Sequence, residues 1–204
     1  MIVTEISEIS KTRCRIEIDH QFAFVLYKGE LCQYQVREGE EITKEDYREI
    51  MEEVLPRRAK LRCMNLLQSR EYTEAQLREK LRQGMYPREI EDQAIAYVAS
   101  FRYIDDLRYA EDYIRAHEDS RSKFRIERDL VVKGISGEII EQAWCNWEAK
   151  GGAQDEMAMI RSLLTKKHYD PDTADYKEKQ RIYAYLARRG YSSEQIRRAM
   201  RTED

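Results

Sequence analysis

The side chains best suited to recognition are cationic and gather in the second half of the chain. Arg121, Lys123, Arg125 and Arg128 form one basic stretch, and Arg125 and Arg128, three residues apart, share a helix face. Arg181, Arg188, Arg189, Arg197, Arg198 and Arg201 give the C-terminal part a similar character. Such groups bind carboxylates or phosphates through charge-assisted hydrogen bonds, so the chemistry on offer is anion recognition. Glu127 and Asp129 lie among the first set, and intrahelical ion pairs compete with that role. The adjacent carboxylates of Asp105 and Asp106 can be read as a metal-binding pair. At a helix start they are more simply an N-cap and a partner for the helix dipole. The 14 tyrosines suggest stacking on single-stranded nucleic acid. For Tyr103, Tyr109 and Tyr113, at joints between elements, packing is the better explanation.

Reaction chemistry has no comparable focus. There is no G-x-x-x-x-G-K-[ST] loop, no G-x-G-x-x-G, no H-E-x-x-H and no G-x-S-x-G elbow. Cys14, Cys32, Cys63 and Cys145 are scattered without a C-x-x-C pair, and only three histidines are present, so a zinc site is not expected. No cofactor, metal or small-molecule substrate is expected, and binding is favoured over catalysis. The N-terminal Met1-Ile2-Val3-Thr4-Glu5 lacks the features of a signal peptide. No apolar run approaches the roughly 18–20 residues that span a membrane. A cytoplasmic protein with reduced thiols and no membrane partner is the expectation.

The elements that must hold these groups repeat. A signature of glycine, an apolar or aromatic residue, four residues and isoleucine occurs three times, at Gly84-Met85 to Ile90, Gly134-Ile135 to Ile140 and Gly190-Tyr191 to Ile196. Each copy follows an apolar pair spaced i,i+4 (Leu77/Leu81, Ile126/Leu130, Ile182/Leu186) and precedes Ala94, Ala143 or Ala199. Each unit reads as helix, capped helix, glycine stop, helix, with the glycines in the left-handed conformation. Repeats of this size stack into an extended body that offers a long surface to a partner. Thr73-x-x-Gln76 and Ser192-x-x-Gln195 fit capping boxes, Ser136 fits an N-cap, and Pro87 suits a first helical turn. Pro56 is expected to break or kink the helix that Thr43 starts.

Residues 2–37 read as β instead. Cys14, Ile16 and Ile18 alternate with charged residues, Phe22 to Tyr27 is rich in strand formers, and a turn at Lys28-Gly29-Glu30 leads into Leu31 to Val36. The expected fold is therefore mainly α. Tandem three-helix repeats lie in an elongated arrangement, with a small antiparallel hairpin or sheet at the N-terminus. Its divisions are a β-rich head at 1–42, a lead-in helix and first repeat at 43–104, a second repeat at 105–150 and a third at 151–204. Charge follows the same partition. Residues 1–55 carry 7 basic against 13 acidic groups, whereas 57–104 carry 10 against 6. An acidic head on a mildly basic body suits a polyphosphate or an acidic protein face.

Three longer motifs carry a family resemblance. Tyr103-Ile104-Asp105-Asp106-x-Arg108-Tyr109-Ala110 resembles the tyrosine and paired-aspartate element of the RecX family, regulators of the RecA recombinase. Arg125-Ile126-x3-Leu130-x2-Lys133-Gly134-Ile135 resembles that family's second-repeat helix and stop. Lys179-x-Arg181-Ile182-x3-Leu186-x2-Arg189-Gly190-Tyr191 is similar to its third. The match covers roughly residues 43–204. Two departures stand out: Arg102 replaces the usual glycine before the Tyr103 element, and Gly84 follows Leu81 one residue earlier than the other two glycines follow their leucines. The resemblance implies tandem three-helix repeats, without enzyme activity, that lodge along the groove of the RecA filament on DNA. It implies restraint of strand exchange, ATP hydrolysis and LexA cleavage. Arg108 would pair with the neighbouring aspartates at the joint of the first two units. The basic residues above would contact RecA acidic groups or DNA phosphates. A stand-alone helix-turn-helix-like DNA-binding module is the alternative, and a small helical enzyme is a third.

Overall fold

The structure, a computed structural model, describes residues 1–201; the last three residues of the third expected unit lie outside them. The chain opens with three strands, β1 (Val3–Glu8), β2 (Arg13–Ile18) and β3 (Gln21–Tyr27), paired antiparallel in that order. In β2 the alternation read from the sequence is real: Cys14, Ile16 and Ile18 are buried and the residues between them are partly exposed. Ile16 pairs with Ile6 on one side and Phe24 on the other.

Residues Leu31 to Val36 do not continue the sheet as expected. A short helix, α1 (Lys28–Gln33), takes their place. The Glu30 carboxylate accepts from the Tyr27 amide at 2.7 Å, which turns the chain into a helical start. Arg58 then pairs with the same carboxylate at 2.9 Å and donates to the Val25 carbonyl at 2.5 Å, tying the sheet to the helices behind it.

Of the break or kink expected at Pro56, no break occurs, and the disturbance is a π-helical stretch just ahead of it. Helix α2 (Lys44–Glu49), capped by Thr43, runs through a π-helical stretch (Ile50–Val54) into α3 (Leu55–Ser69). Pro56 has no N–H to give, and the backbone changes register just ahead of it, with the Leu55 amide reaching back to the Ile50 carbonyl. Helices α4 (Glu74–Gln83) and α5 (Arg88–Ser100) complete the first repeat, with α3 packed on α5. Ile16, Phe24 and Leu26 from the sheet share one core with Ile50, Leu55, Leu77 and Leu81. A sheet this small needs such a backing to be stable.

The chain divides into two compact units, the first ending at Asp105 and the second starting at Asp106. The second unit holds α6 (Asp106–His117), α7 (Lys123–Val132), α8 (Gly137–Ala149), α9 (Glu156–Lys166), α10 (Tyr176–Arg188) and α11 (Ser193–Ala199). It contains two cores, one around Ile114, Ile126, Leu130 and Trp144, the other around Ile160, Ile182, Leu186 and Ile196. Trp144 and Trp147 meet edge to face within the first of these, and Trp147 also packs over Gly152.

The repeat has one register correction. Gly134 and Gly190 have φ of +85° and +91°, as a glycine stop requires, but the matching residue in the first repeat is Met85 at +58°. Gly84 sits at φ −81°. The stop is a Schellman motif in which the amide three residues past the helix bonds back to the leucine carbonyl. These bonds are Tyr86 to Leu81 at 3.3 Å, Ile135 to Leu130 at 3.2 Å and Tyr191 to Leu186 at 3.4 Å. That geometry places the left-handed residue four positions after the leucine, and Gly84 is only three away. Gly84 is needed for a different reason: a Cβ there would lie 2.8 Å from the Tyr86 ring. In the same alignment Pro87, Ser136 and Ser192 are the N-caps, so Pro87 stands just before the helix rather than in its first turn. Four residues past each cap come Glu91, Ile140 and Ile196, all buried.

Candidate functional site

The site is assembled by the start of α7 and the end of α10. Ser122 is fully buried. Its hydroxyl accepts from the Arg125 amide at 3.2 Å, capping α7, and donates to the Arg189 carbonyl at 2.8 Å. Gly190 makes this approach possible, because a Cβ there would lie 2.6 Å from the Ser122 hydroxyl and 3.3 Å from the Arg125 amide. Glu156 on α9 holds the same joint from the side. One carboxylate oxygen accepts from the Lys123 amide and the other from the Gln195 side chain, both at 2.6 Å. The Gln154 side chain adds bonds to the carbonyls of Glu118 and Arg121, each 2.7 Å.

Around this joint lies a cleft of about 420 Å³, lined by Arg121, Arg125, Arg188, Arg189, Tyr185 and Tyr191 with Ser120 and Ser122. Arg121 is fixed from behind: it donates to the Tyr113 hydroxyl at 2.6 Å and to Asp129 at 2.7 Å. Arg125 pairs with the other oxygen of Asp129 at 3.2 Å, the i,i+4 pair that competes in the sequence. Arg189 lies over the Tyr185 ring at 4.7 Å, and Lys167 approaches the same ring at 5.0 Å. Neither Arg188 nor Arg189 has a carboxylate within ion-pair distance among the described residues. The cleft therefore sets four guanidinium groups against the single carboxylate of Asp129, and two of the four are free to take an incoming anion. Burial pushes the Tyr113 and Tyr191 phenols up from their ordinary range, so both stay neutral, Tyr191 as a wall of the cleft and Tyr113 as the hydrogen-bond partner of Arg121.

Four of the nine cationic candidates thus come together, and the other five do not. Lys123 points to another depression, 3.8 Å from Glu148 and 4.8 Å from the Trp144 ring centroid. Arg128 is exposed on α7 and does not line the cleft, although Arg125 does. Arg181 pairs with Glu178 at 3.3 Å on the exposed side of α10. Arg197 lines a separate groove with Arg201, and Arg198 is exposed on α11. Of the motif residues, Asp106 begins α6, Asp105 immediately precedes it, and Arg108 is exposed one turn in. Tyr103 is 47% exposed and stacks on Phe101 at 5.7 Å. No group of three or more His, Cys, Asp or Glu that suits a metal occurs among the described residues. No helix there is long and apolar enough to cross a membrane.

Sequence reasoning missed Ser122, Asp129 as the shared anchor, Tyr185, Tyr191 and Glu156. Ser122 had a usable signal, an N-cap residue ahead of an apolar helix. Asp129 had one too, four residues after Arg125, whereas Glu156 is joined to the site only by contacts far apart in the chain.

Comparison with known proteins agrees with the repeat. Three family models match, described as the first, second and third three-helix domains of RecX, over residues 59–97, 105–143 and 154–200 respectively. A regulatory protein RecX of Trichlorobacter lovleyi is 34% identical over 141 residues, covering 67% of this chain and 90% of the relative. That of Listeria monocytogenes (strain EGD-e) is 31% identical over 208 residues, covering all of this chain and 76% of the relative. Among solved structures, one described as regulatory protein RecX superposes with a TM-score of 0.61 at 21% identity, covering 96% of this chain and 97% of the other. RecX from Lactobacillus salivarius gives 0.59 at 21% identity, covering 72% and 95%. These superpositions support the fold.

Proposed function

Because the chain belongs to the RecX family, we propose that it regulates the RecA recombinase, restraining it by lodging along the groove of the RecA filament on DNA. The organisation that goes with this reading is a β-rich head at 1–42 followed by repeats at 43–104, 105–150 and 151–204. The cleft of Arg121, Arg125, Arg188 and Arg189 takes a carboxylate of RecA or a phosphate of the DNA that RecA coats. The observation that carries the reading is the pair of unmatched guanidinium groups at a joint held rigid by Ser122 and Glu156. A fixed cationic cleft binds an anion at less entropic cost than flexible surface lysines would, and sets the orientation of the partner.

The test is co-sedimentation with RecA filaments formed on single-stranded DNA with a non-hydrolysable ATP analogue, alongside RecA's ATP hydrolysis. The wild-type chain is expected to sediment with the filament and slow hydrolysis. The variant R188A/R189A, which leaves the Arg189 carbonyl in place for Ser122, is expected to need about tenfold more protein or worse, given the worth of hydrogen bonds to charged groups. A wild-type chain that stays in the supernatant at low salt would overturn the proposal. Unchanged potency of R188A/R189A would remove the cleft from it.

A further inference from the structure

A groove of the second unit lies apart from the arginine cleft, where α10 faces α11 and the connection that precedes α10. It encloses about 970 Å³ and is lined by rings and cations: Tyr169, Tyr176 and Tyr183 with Lys179, Arg197 and Arg201. Among the described residues, no carboxylate lines it. Lys179, Arg197 and Arg201 have no acidic partner among the described residues, whereas Arg181 on another face of α10 is paired with Glu178.

The rings are held in place. Tyr183 donates its hydroxyl hydrogen to Ser193 at 2.7 Å, and Tyr169 reaches the Met200 carbonyl at 3.4 Å. The Tyr176 hydroxyl accepts from Gln180 at 2.6 Å, yet the residue is 75% exposed. Tyr176, Lys179 and Tyr183 recur at i, i+3 and i+7, so ring, cation and ring follow one another along one stripe of α10. The two rings are about 10 Å apart along the helix axis, room for a base on each.

We propose that this groove binds single-stranded nucleic acid, with bases stacked on Tyr176 and Tyr183 and phosphates held by Lys179, Arg197 and Arg201. Aromatic platforms beside a cationic track are what an unpaired strand requires, because its bases are free to leave one another and lie on a ring. A duplex keeps its bases stacked internally and offers the rings nothing. An acidic protein segment would use the cations and leave the tyrosines idle. This proposal stands apart from the regulatory reading, since its test contains no recombinase.

The experiment is fluorescence anisotropy of a labelled oligothymidylate titrated with the full chain at low salt. An abasic oligomer of equal length and a duplex serve as parallel probes. Oligothymidylate is expected to bind more tightly than either. Tyr176→Ala is expected to weaken oligothymidylate binding about tenfold and leave the abasic oligomer unchanged, in line with the worth of one stacked base. Tyr176→Phe keeps the ring and is expected to restore the affinity. R197A/R201A is expected to weaken both single-stranded probes. Tyr176 is exposed, so its loss does not threaten folding, and unchanged helical circular dichroism checks this. Equal binding of the abasic oligomer or the duplex, an unaffected Tyr176→Ala variant, or unchanged binding by R197A/R201A would each overturn the proposal.

Discussion

Met85 and Arg102 occupy left-handed backbone, at φ +58° and +55°, where neither residue type is at ease. Both stand at helix stops: the Tyr86 and Tyr103 amides that follow them bond back to Leu81 and Val98 at 3.3 and 3.1 Å. A side chain there costs about 1–2 kcal/mol of strain, while glycine adds back about 0.5–1 kcal/mol in chain entropy. Met85→Gly and Arg102→Gly are therefore each expected to stabilise the protein by up to about 1 kcal/mol, read as a thermal midpoint higher by roughly 2–4 °C. Glu91 is a different kind of exception. It occupies the buried position that Ile140 and Ile196 hold in the other repeats, with the largely exposed Arg82 at 3.8 Å. Burial raises its carboxyl above the ordinary range, and the nearby arginines offset this only in part. A folded pKa above the unfolded one means that stability present at low pH is lost as pH rises through the folded value. Glu91→Gln is expected to flatten this decline between about pH 4 and neutrality. The check is the thermal midpoint of both proteins across that range, with the difference growing in favour of the variant as pH rises.

The joint between α7 and α10 concentrates element-level strain in one glycine. Gly190 combines φ +91° with a Cβ position 2.6 Å from the Ser122 hydroxyl, whereas nothing lies within 4 Å of a Cβ at Gly137 on the first turn of α8. Gly190→Ala is expected to cost about 2 kcal/mol or more and to loosen the arginine cleft. Gly137→Ala is expected to be neutral or to stabilise by up to about 1 kcal/mol. Denaturant midpoints separate the two, and equal effects would contradict this account of the joint. What could be foreseen of these elements was local. The caps at Thr73, Ser136 and Ser192 and the alternation of Cys14, Ile16 and Ile18 depend on neighbours within a few residues, and the structure contains all of them. Helix α1 escaped because one side chain, Glu30, turns an apparent strand into a helical start. The left-handed stop was assigned to Gly84 because glycine is the usual occupant, yet the distance from Leu81 gives it to Met85. The cleft was legible only as a set of basic residues. Arg121 and Arg125 meet Arg188 and Arg189 through the Ser122 contact to the Arg189 carbonyl, a pairing across repeats that no local pattern encodes.

Across the whole chain, 36 basic groups stand against 39 acidic ones, a formal net charge of −3. Much of the positive charge is already spent on neighbours: Arg78 on Glu74 and Asp92, Arg115 on Asp112, Arg121 and Arg125 on Asp129. A module that recognises duplex DNA by itself needs a broad basic face to neutralise phosphates, and its affinity falls steeply with salt as counterions return. In the second unit, two small sets of cations without a carboxylate partner among the described residues line concave surfaces, Arg188 and Arg189 in the cleft and Lys179, Arg197 and Arg201 in the groove. Each set meets only a few anionic groups at once. Gel shifts on duplex DNA without recombinase are therefore expected to show only non-specific binding, weaker than about 1 µM near physiological salt, with no preference among sequences. Association with a RecA filament is expected to survive that salt, because shape and a rigid cleft add to charge when the partner is a protein polymer. Tight, sequence-selective duplex binding would instead favour a stand-alone helix-turn-helix-like module, with R188A/R189A and R197A/R201A showing which cationic set contacts the phosphates.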